Sequence, residues 1–201
     1  MPPKIKTDRQ TIVEAAFEVA RKKGMRSVTA KSVAEELGTS VGPIFRDFET
    51  MEELKSAVAA HVATFFIAYL KEYPIEKSQF MTYGLAYIEF ANKEPQLFDI
   101  LMRSGFFRVD VMHSIVSDQF DFVVASAANV GLIDRKEQAE ALFFHVWLYT
   151  HGIACLVNAG TVSLSREELT AMLSSVFEAF LSQIKNQGGC AAAQLEGIAE
   201  K

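Results

Sequence analysis

The sequence predicts an all-α fold of about nine helices, with a small N-terminal helix-turn-helix head ahead of a larger helical body. Three observations predict it. Apolar residues recur at i, i+3, i+4 and i+7 along almost every stretch, the spacing that gathers them on one helix face. These stretches open on capping residues such as Thr29 and Ser165 and close on glycines such as Gly24, Gly38, Gly131 and Gly160. Strand-type alternation never lasts beyond a few residues, and no internal repeat is visible. Half of the 201 residues are hydrophobic and 16 are phenylalanine, enough to fill a sizeable core.

Residues 1–8 read as a mobile arm. Its Lys4 and Lys6, with Arg9 beyond, either reach a phosphate or minor groove or lie solvated. Residues 9–23 form the first helix, with Ile12, Val13, Ala16, Phe17 and Ala20 on one face. Arg21, Lys22 and Lys23 suit the negative end of its dipole, and Gly24 stops it. Residues 28–48, VTAKSVAEELGTSVGPIFRDF, read as two short helices around a tight turn. Thr29 caps the first, Val33, Ala34 and Leu37 form its apolar face, and Gly38 ends it. Ser40 is expected to cap the second, with Pro43 in its first turn and Ile44, Phe45 and Phe48 on its apolar face. Two short helices joined through a glycine turn are the plan of a helix-turn-helix, whose second helix enters the major groove of DNA. An ordinary helical hairpin has the same local pattern.

Thr50 and Glu53 form a T-x-x-E capping box that opens a long helix reaching about Tyr73 and Pro74. Its apolar members include Leu54, Val58, Val62, Phe65, Phe66, Tyr69 and Leu70. Residues 77–93 follow, with Phe80, Tyr83, Gly84, Tyr87, Ile88 and Ala91 inward, and Pro95 fits the first turn of PQLFDILM. Residues 109–130 carry the stripe Val109, Met112, His113, Val116, Phe120, Val123, Ala127 and Val130. Asp134 and Glu137 cap a helix to about Asn158. Ser165 and Glu168 box the last helix, to about Asn186, with Leu169, Met172, Leu173, Val176, Phe177, Phe180, Leu181 and Ile184 along it. The tail has little to bury and is expected to fray. The expected divisions are a head over 1–50, a body over 51–187 and a tail over 188–201.

Charge is uneven. The net is −5, yet residues 1–50 hold nine Lys/Arg against seven Asp/Glu, and the remainder holds eleven against eighteen. A mildly basic head on an acidic body fits local contact with phosphates. No uninterrupted apolar run is long enough to cross a bilayer, and MPPKIKTDRQ lacks the apolar segment of a signal peptide, so no membrane partner and a cytoplasmic location are expected. Cys155 and Cys190 suggest no disulfide framework. His151 and Cys155 share a helix face, but a metal or redox site needs more ligands, and no HExxH or CxxC occurs. With no phosphate loop or nucleophile motif either, no catalytic residue, metal or cofactor is expected, and Asp99 and Asp121 read as surface groups.

From about Arg9 to Leu54, the pieces TIVEAAFEVARKKG, MRSVTAKSVAEELGTS, VGPIFRDF and ETMEEL resemble, in order and spacing, a TetR/AcrR-type transcriptional regulator. WLYTHG, from Trp147 to Gly152, resembles a motif of one branch of that family's C-terminal domains, where Gly152 is expected to permit close helix approach. The resemblance implies DNA contacts from Thr29, Ala30, Lys31, Ser40, Val41, Gly42, Pro43, Phe45, Arg46 and Met51. Val41 suits a thymine methyl, and Arg46 is the expected charged contact. Three departures weaken the match: Phe45 stands where the family usually has Tyr, Met51 where it usually has Lys, and Asp47 and Glu49 bring negative charge. Weak, salt-sensitive binding through Lys31, Arg46 and the arm is therefore expected.

The resemblance also implies an apolar effector bound among the body helices. The expected lining is Phe65, Phe66, Tyr69, Tyr83, Tyr87, Phe106, Met112, His113, Phe120, Trp147 and His151, although for most aromatics a plain core role is the simpler reading. A hydrophobic or aromatic ligand is expected, with Arg103 and Arg108 close enough to qualify that. The last two helices would pair with a second copy through Phe144, Leu148, Leu156, Met172, Val176 and Phe180. That homodimer would set two recognition helices roughly 34–36 Å apart on a palindromic double-stranded operator. A cytoplasmic repressor released by its ligand follows. The rival is a helical ligand-binding or protein-interaction module whose head has lost strong DNA binding.

Overall fold

The computed structural model describes residues 7–76, 78–104 and 136–186. Among them are eight α-helices: α1 Arg9–Lys23, α2 Ala30–Leu37, α3 Gly42–Asp47, α4 Met51–Glu72, α5 Gln79–Lys93, α6 Pro95–Arg103, α7 Lys136–Asn158 and α8 Arg166–Asn186, with a 3-10 turn at Met25–Ser27. The fold is all-α. The stripe over 109–130, the Asp134 cap, the arm before Thr7 and the tail after Asn186 lie outside the described residues, as do Phe106, Arg108, Met112, His113, Phe120 and Asp121.

Two compact units emerge. One gathers residues 1–68 with 94–106, the other 69–93 with 107–201. By compactness, most of α4 and all of α6 therefore group with the head, whereas the sequence division at residue 50 follows the DNA-reading motif.

In the first unit, α1 is the hub. Its Ile12, Val13, Ala16, Phe17 and Ala20 are buried, and it packs on α2, α3 and α6. The core is completed by Val28, Val33, Ile44, Phe48, Leu54, Val58, Leu97 and Leu101, all at most 1% exposed. α1 begins at Asp8, whose carboxylate accepts from the Thr11 amide at 2.9 Å. The end of the supposed arm is thus a helix cap, worth about 1 kcal/mol. Gly24 ends α1 at φ +80°, and Arg21 forks onto Glu94 just before α6.

In the second unit, α5 packs on α7, and α8 packs on both. Gly84 is where side chains crowd the backbone: a Cβ there would lie 3.0 Å from Leu173 Cδ1. α8 starts with the expected box, since Ser165 Oγ accepts from the Glu168 amide and the Glu168 carboxylate from the Ser165 amide. Arg166 then bonds the Tyr73 hydroxyl and the carboxylate of Glu76, while Tyr73 donates to Glu89.

α4 and the Ala141–Asn158 stretch of α7 reach the length and mean hydropathy (1.2 and 1.3) of a membrane-crossing helix. A search for an unbroken apolar run does not register this, because polar residues interrupt both. Each turns only part of its apolar surface to protein core, through Leu54, Val58, Val62 and Phe66 in α4 and Leu142, Val146, Ile153 and Ala154 in α7.

Candidate functional site

The α2–α3 unit is built from its caps outward. Thr29 Oγ1 accepts from the Ser32 amide at 3.2 Å, and Ser32 Oγ accepts in return from the Thr29 amide at 3.0 Å. Gly38 closes α2 in the left-handed conformation, at φ +64°, which only glycine adopts without penalty. The next step departs from expectation. Val41, not Ser40, is the N-cap residue of α3, and no side chain caps that end. Pro43 supplies the reason: with Ser40 as N-cap, Pro43 would be the third helical residue and would offer no amide to the serine hydroxyl.

The apolar face of α3 also divides. Ile44 and Phe48 are buried, but Val41 and Phe45 stand 42% and 51% exposed. Phe45 is therefore not part of the core face expected for it. Thr29, Ser40 and Gly42 are exposed, while Ala30, Pro43 and Met51 are half-covered. The Lys31 side chain is 87% exposed, with Glu35 at the edge of ion-pair range, 4.0 Å away.

Arg46 is already engaged. Its Nε and Nη2 donate to the two carboxylate oxygens of Asp47 at 3.0 and 2.7 Å, and Nη2 also donates to the Thr7 carbonyl at 2.6 Å. That hydrogen bond from Arg46 holds the Asp47 carboxyl below its ordinary range. Arg9 is engaged too. Its guanidinium lies 4.0 Å over the Phe48 ring and donates to the Asp47 carbonyl and, at 2.7 Å, to Glu53. Arg9, grouped with the arm as a phosphate contact, is instead tied into the head. Glu53, drawn to Arg9, turns its other oxygen to the Glu49 amide at 2.9 Å. The T-x-x-E box is thus half-formed, with the Glu53 amide on Thr50 Oγ1 but the carboxylate one residue short of Thr50.

The described ligand candidates fall in both units. Phe65 and Phe66 belong to the first. Phe65 packs 5.3 Å from the Phe17 ring and under Arg21, so it contributes to head packing, and Phe66 is buried. In the second unit, Tyr69 packs on Phe90, and Tyr83 is half-buried, its phenol pushed up by burial. Tyr87, Trp147 and His151 come together. Tyr87 Oη lies 2.6 Å from His151 Nδ1, Cys155 Sγ lies 3.6 Å from His151 Nε2, and the Trp147 ring stacks on His151 at 5.1 Å and 26°. Burial lowers the His151 pKa and raises that of Cys155, so both stay neutral near pH 7. Arg103 is paired with Asp99 at 2.9 Å.

Among the expected dimer residues, Leu148 and Leu156 are each 46% exposed. Met172 and Val176 line a groove of about 350 Å³ with Tyr149, Ala171, Ser175 and Ala179. Phe144 leans on Trp147, and Phe180 stacks on His145 at 4.7 Å, so both have partners within the chain. Among the described residues Gly152 does not mediate a close approach, because a Cβ there meets nothing within 4 Å. Sequence reasoning missed the long-range ion pairs, which no local spacing signals.

The profile of bacterial regulatory proteins of the tetR family matches residues 12–58. An uncharacterized HTH-type transcriptional regulator, YobS, of Bacillus subtilis (strain 168) is 22% identical over 191 residues, covering 90% of this chain and 95% of that protein. A TetR-family regulator structure from Vibrio parahaemolyticus superposes with a TM-score of 0.62 at 18% identity, over 86% of this chain and 98% of the other. A TetR variant from Acinetobacter baumannii AYE gives 0.55 at 15% identity, over 90% and 98%. At these identities the solved structures speak for the fold, and the profile match speaks for the head. On that head, capped and turned as described, residues 12–58 match the tetR family of bacterial regulatory proteins.

Proposed function

We propose that this chain is a homodimeric repressor that reads a palindromic operator with α2 and α3 and is released by a small hydrophobic or aromatic ligand held in its body. The tetR-family match over residues 12–58 supports reading it as a cytoplasmic DNA-binding regulator rather than an enzyme. The carrying observation is the split face of α3. A six-residue helix and its two cap residues bury Ile44 and Phe48 and leave Val41 and Phe45 about half exposed. The exposed halves of those side chains match the thymine methyl and sugar surface of a major groove. Thr29, Ala30, Lys31, Ser40, Gly42 and Pro43 flank them as the contacting set. Arg46 joins by exchanging Asp47 and the Thr7 carbonyl for a phosphate.

Exposed Leu148 and Leu156, with open Gly152 between them on α7, support a second copy as the occupant of that face. The Acinetobacter neighbour is in complex with minocycline, which supports a small-molecule effector here. The ligand acts to the extent that it binds the DNA-releasing conformation better than the DNA-holding one.

The test is selection of bound fragments from genomic DNA of the source organism, at low and then physiological salt. Fragments sharing a palindrome are the expected result. Recovery at background level in low salt overturns the reading. The Arg46–Asp47 pairing favours one rival, a head that has lost strong DNA binding. Combining Phe45→Tyr with Met51→Lys strengthens binding under our reading and does little under the rival.

A further inference from the structure

Trp147, His151 and Cys155 stand four residues apart along α7, in one line, with Tyr87 of α5 bonded to the middle member. We propose that Trp147 is the recognition group of the effector site, and that it takes a neutral aromatic ligand carrying a hydrogen-bond acceptor, such as an aryl ketone. This rests on the body holding the effector. The indole Nε1–H of Trp147 is buried and meets no acceptor among the described residues. A buried donor is ordinarily satisfied, so an unspent indole N–H is a place where the acceptor of a ligand can dock. Both His151 nitrogens are taken. With the Tyr87 hydroxyl donating to Nδ1, the proton sits on Nε2 and faces Cys155, and the imidazole is neutral. From Ala141 to Asn158 the helix has no Lys, Arg, Asp or Glu. A carboxylate ligand finds no cation there, whereas a carbonyl oxygen finds a donor without having to neutralise a charge. Stacked Trp147 and His151, with Phe144 beside them, add aromatic surface suited to a planar ring.

Trp147 is the sole tryptophan of the chain, so nitrogen-15 labelling gives one indole signal. The probes are acetonaphthone, ethylnaphthalene and naphthoate, added to the full-length protein with binding followed by calorimetry. Acetonaphthone is expected to bind and to move the indole proton downfield. Ethylnaphthalene is expected to bind about tenfold more weakly without that shift, the ratio one hydrogen bond supplies, and naphthoate more weakly still. Trp147→Phe, which stays aromatic but removes the indole N–H, is expected to erase the ketone's advantage over ethylnaphthalene. Acetonaphthone binding with an unmoved indole signal, or an unchanged ratio in the variant, overturns the inference alone. Silence from all three probes overturns it together with the aromatic effector reading.

Discussion

Arg46 in the head and His151 in the body are each held by two partners, but the bonds differ in kind. The Arg46 side chain is 60% exposed, and its ties to Asp47 and Thr7 face water. His151 is half-buried and neutral, between a tyrosine hydroxyl and a thiol. An exposed ion pair is worth about 1 kcal/mol or less and is screened by salt, so another anion displaces it readily. A buried neutral bond is not exchanged with water, so it fixes which groups remain available beside it. The head's arrangement suits a polyanion that trades places with internal carboxylates. The body's suits discrimination among uncharged molecules.

The comparison is broken first if the head's ion pairs, rather than its apolar base, hold it together. Phe48→Ala is expected to cost about 3–5 kcal/mol in urea unfolding, the usual cost of removing a buried phenylalanine. Arg9→Ala, which strips the guanidinium from above that ring, is expected to cost about 1 kcal/mol. Equal costs would mean that the surface charges carry the fold. On the body side, Tyr87→Phe removes the hydroxyl from His151 Nδ1 and is expected to cost about 1–3 kcal/mol, more than Arg9→Ala despite removing one neutral oxygen. A cost below that of Arg9→Ala would erase the distinction between the two kinds of bond.

Asp47→Asn sharpens the head's side. It frees Arg46 and removes a negative charge facing the expected phosphate backbone. Binding to duplex DNA is expected to tighten, and the slope of log affinity against log salt to steepen by about 0.9 per head, the mark of one more phosphate contact. An unchanged slope, measured by titration across a salt series, would show that Arg46 never meets DNA.

What the sequence disclosed follows the range of the interaction. Thr29, Gly38, Gly24 and the Ser165–Glu168 box act within four residues, so spacing alone revealed them. Asp8 has the same reach and was still missed, because it sits in a charged segment that reads as a loose arm. Arg9 with Glu53, Arg21 with Glu94 and Arg166 with Glu76 span 44, 73 and 90 residues, and no periodicity encodes such pairs. The Ser40 cap failed on a local rule that was legible, namely proline's missing amide. Phe45 was misplaced because a helix of six residues is too short for its stripe to say which apolar members face inward. In the candidate site, the residue types of the Trp147–His151 motif were readable, but Tyr87, 64 residues from His151, is joined to it only by the packing of α5 on α7.

The smallest expected effect sharpens the body's side through pH. Burial lowers the His151 pKa below its ordinary 6.5, so the unfolded chain takes up the proton first as pH falls. Protonation therefore favours unfolding. The contribution of the neutral ring is fully present above pH 6.5 and is lost as pH drops through the folded value. Melting temperature is expected to decline from about pH 7.5 to 5.5, with Trp147 emission, reporting on the ring stacked against His151, following the same transition. In His151→Gln, which cannot titrate, that share of the slope should vanish. If the slope persists in His151→Gln, the titration belongs to another group, and the claim that the body keeps this site uncharged would rest on the charge-free stretch of α7 alone.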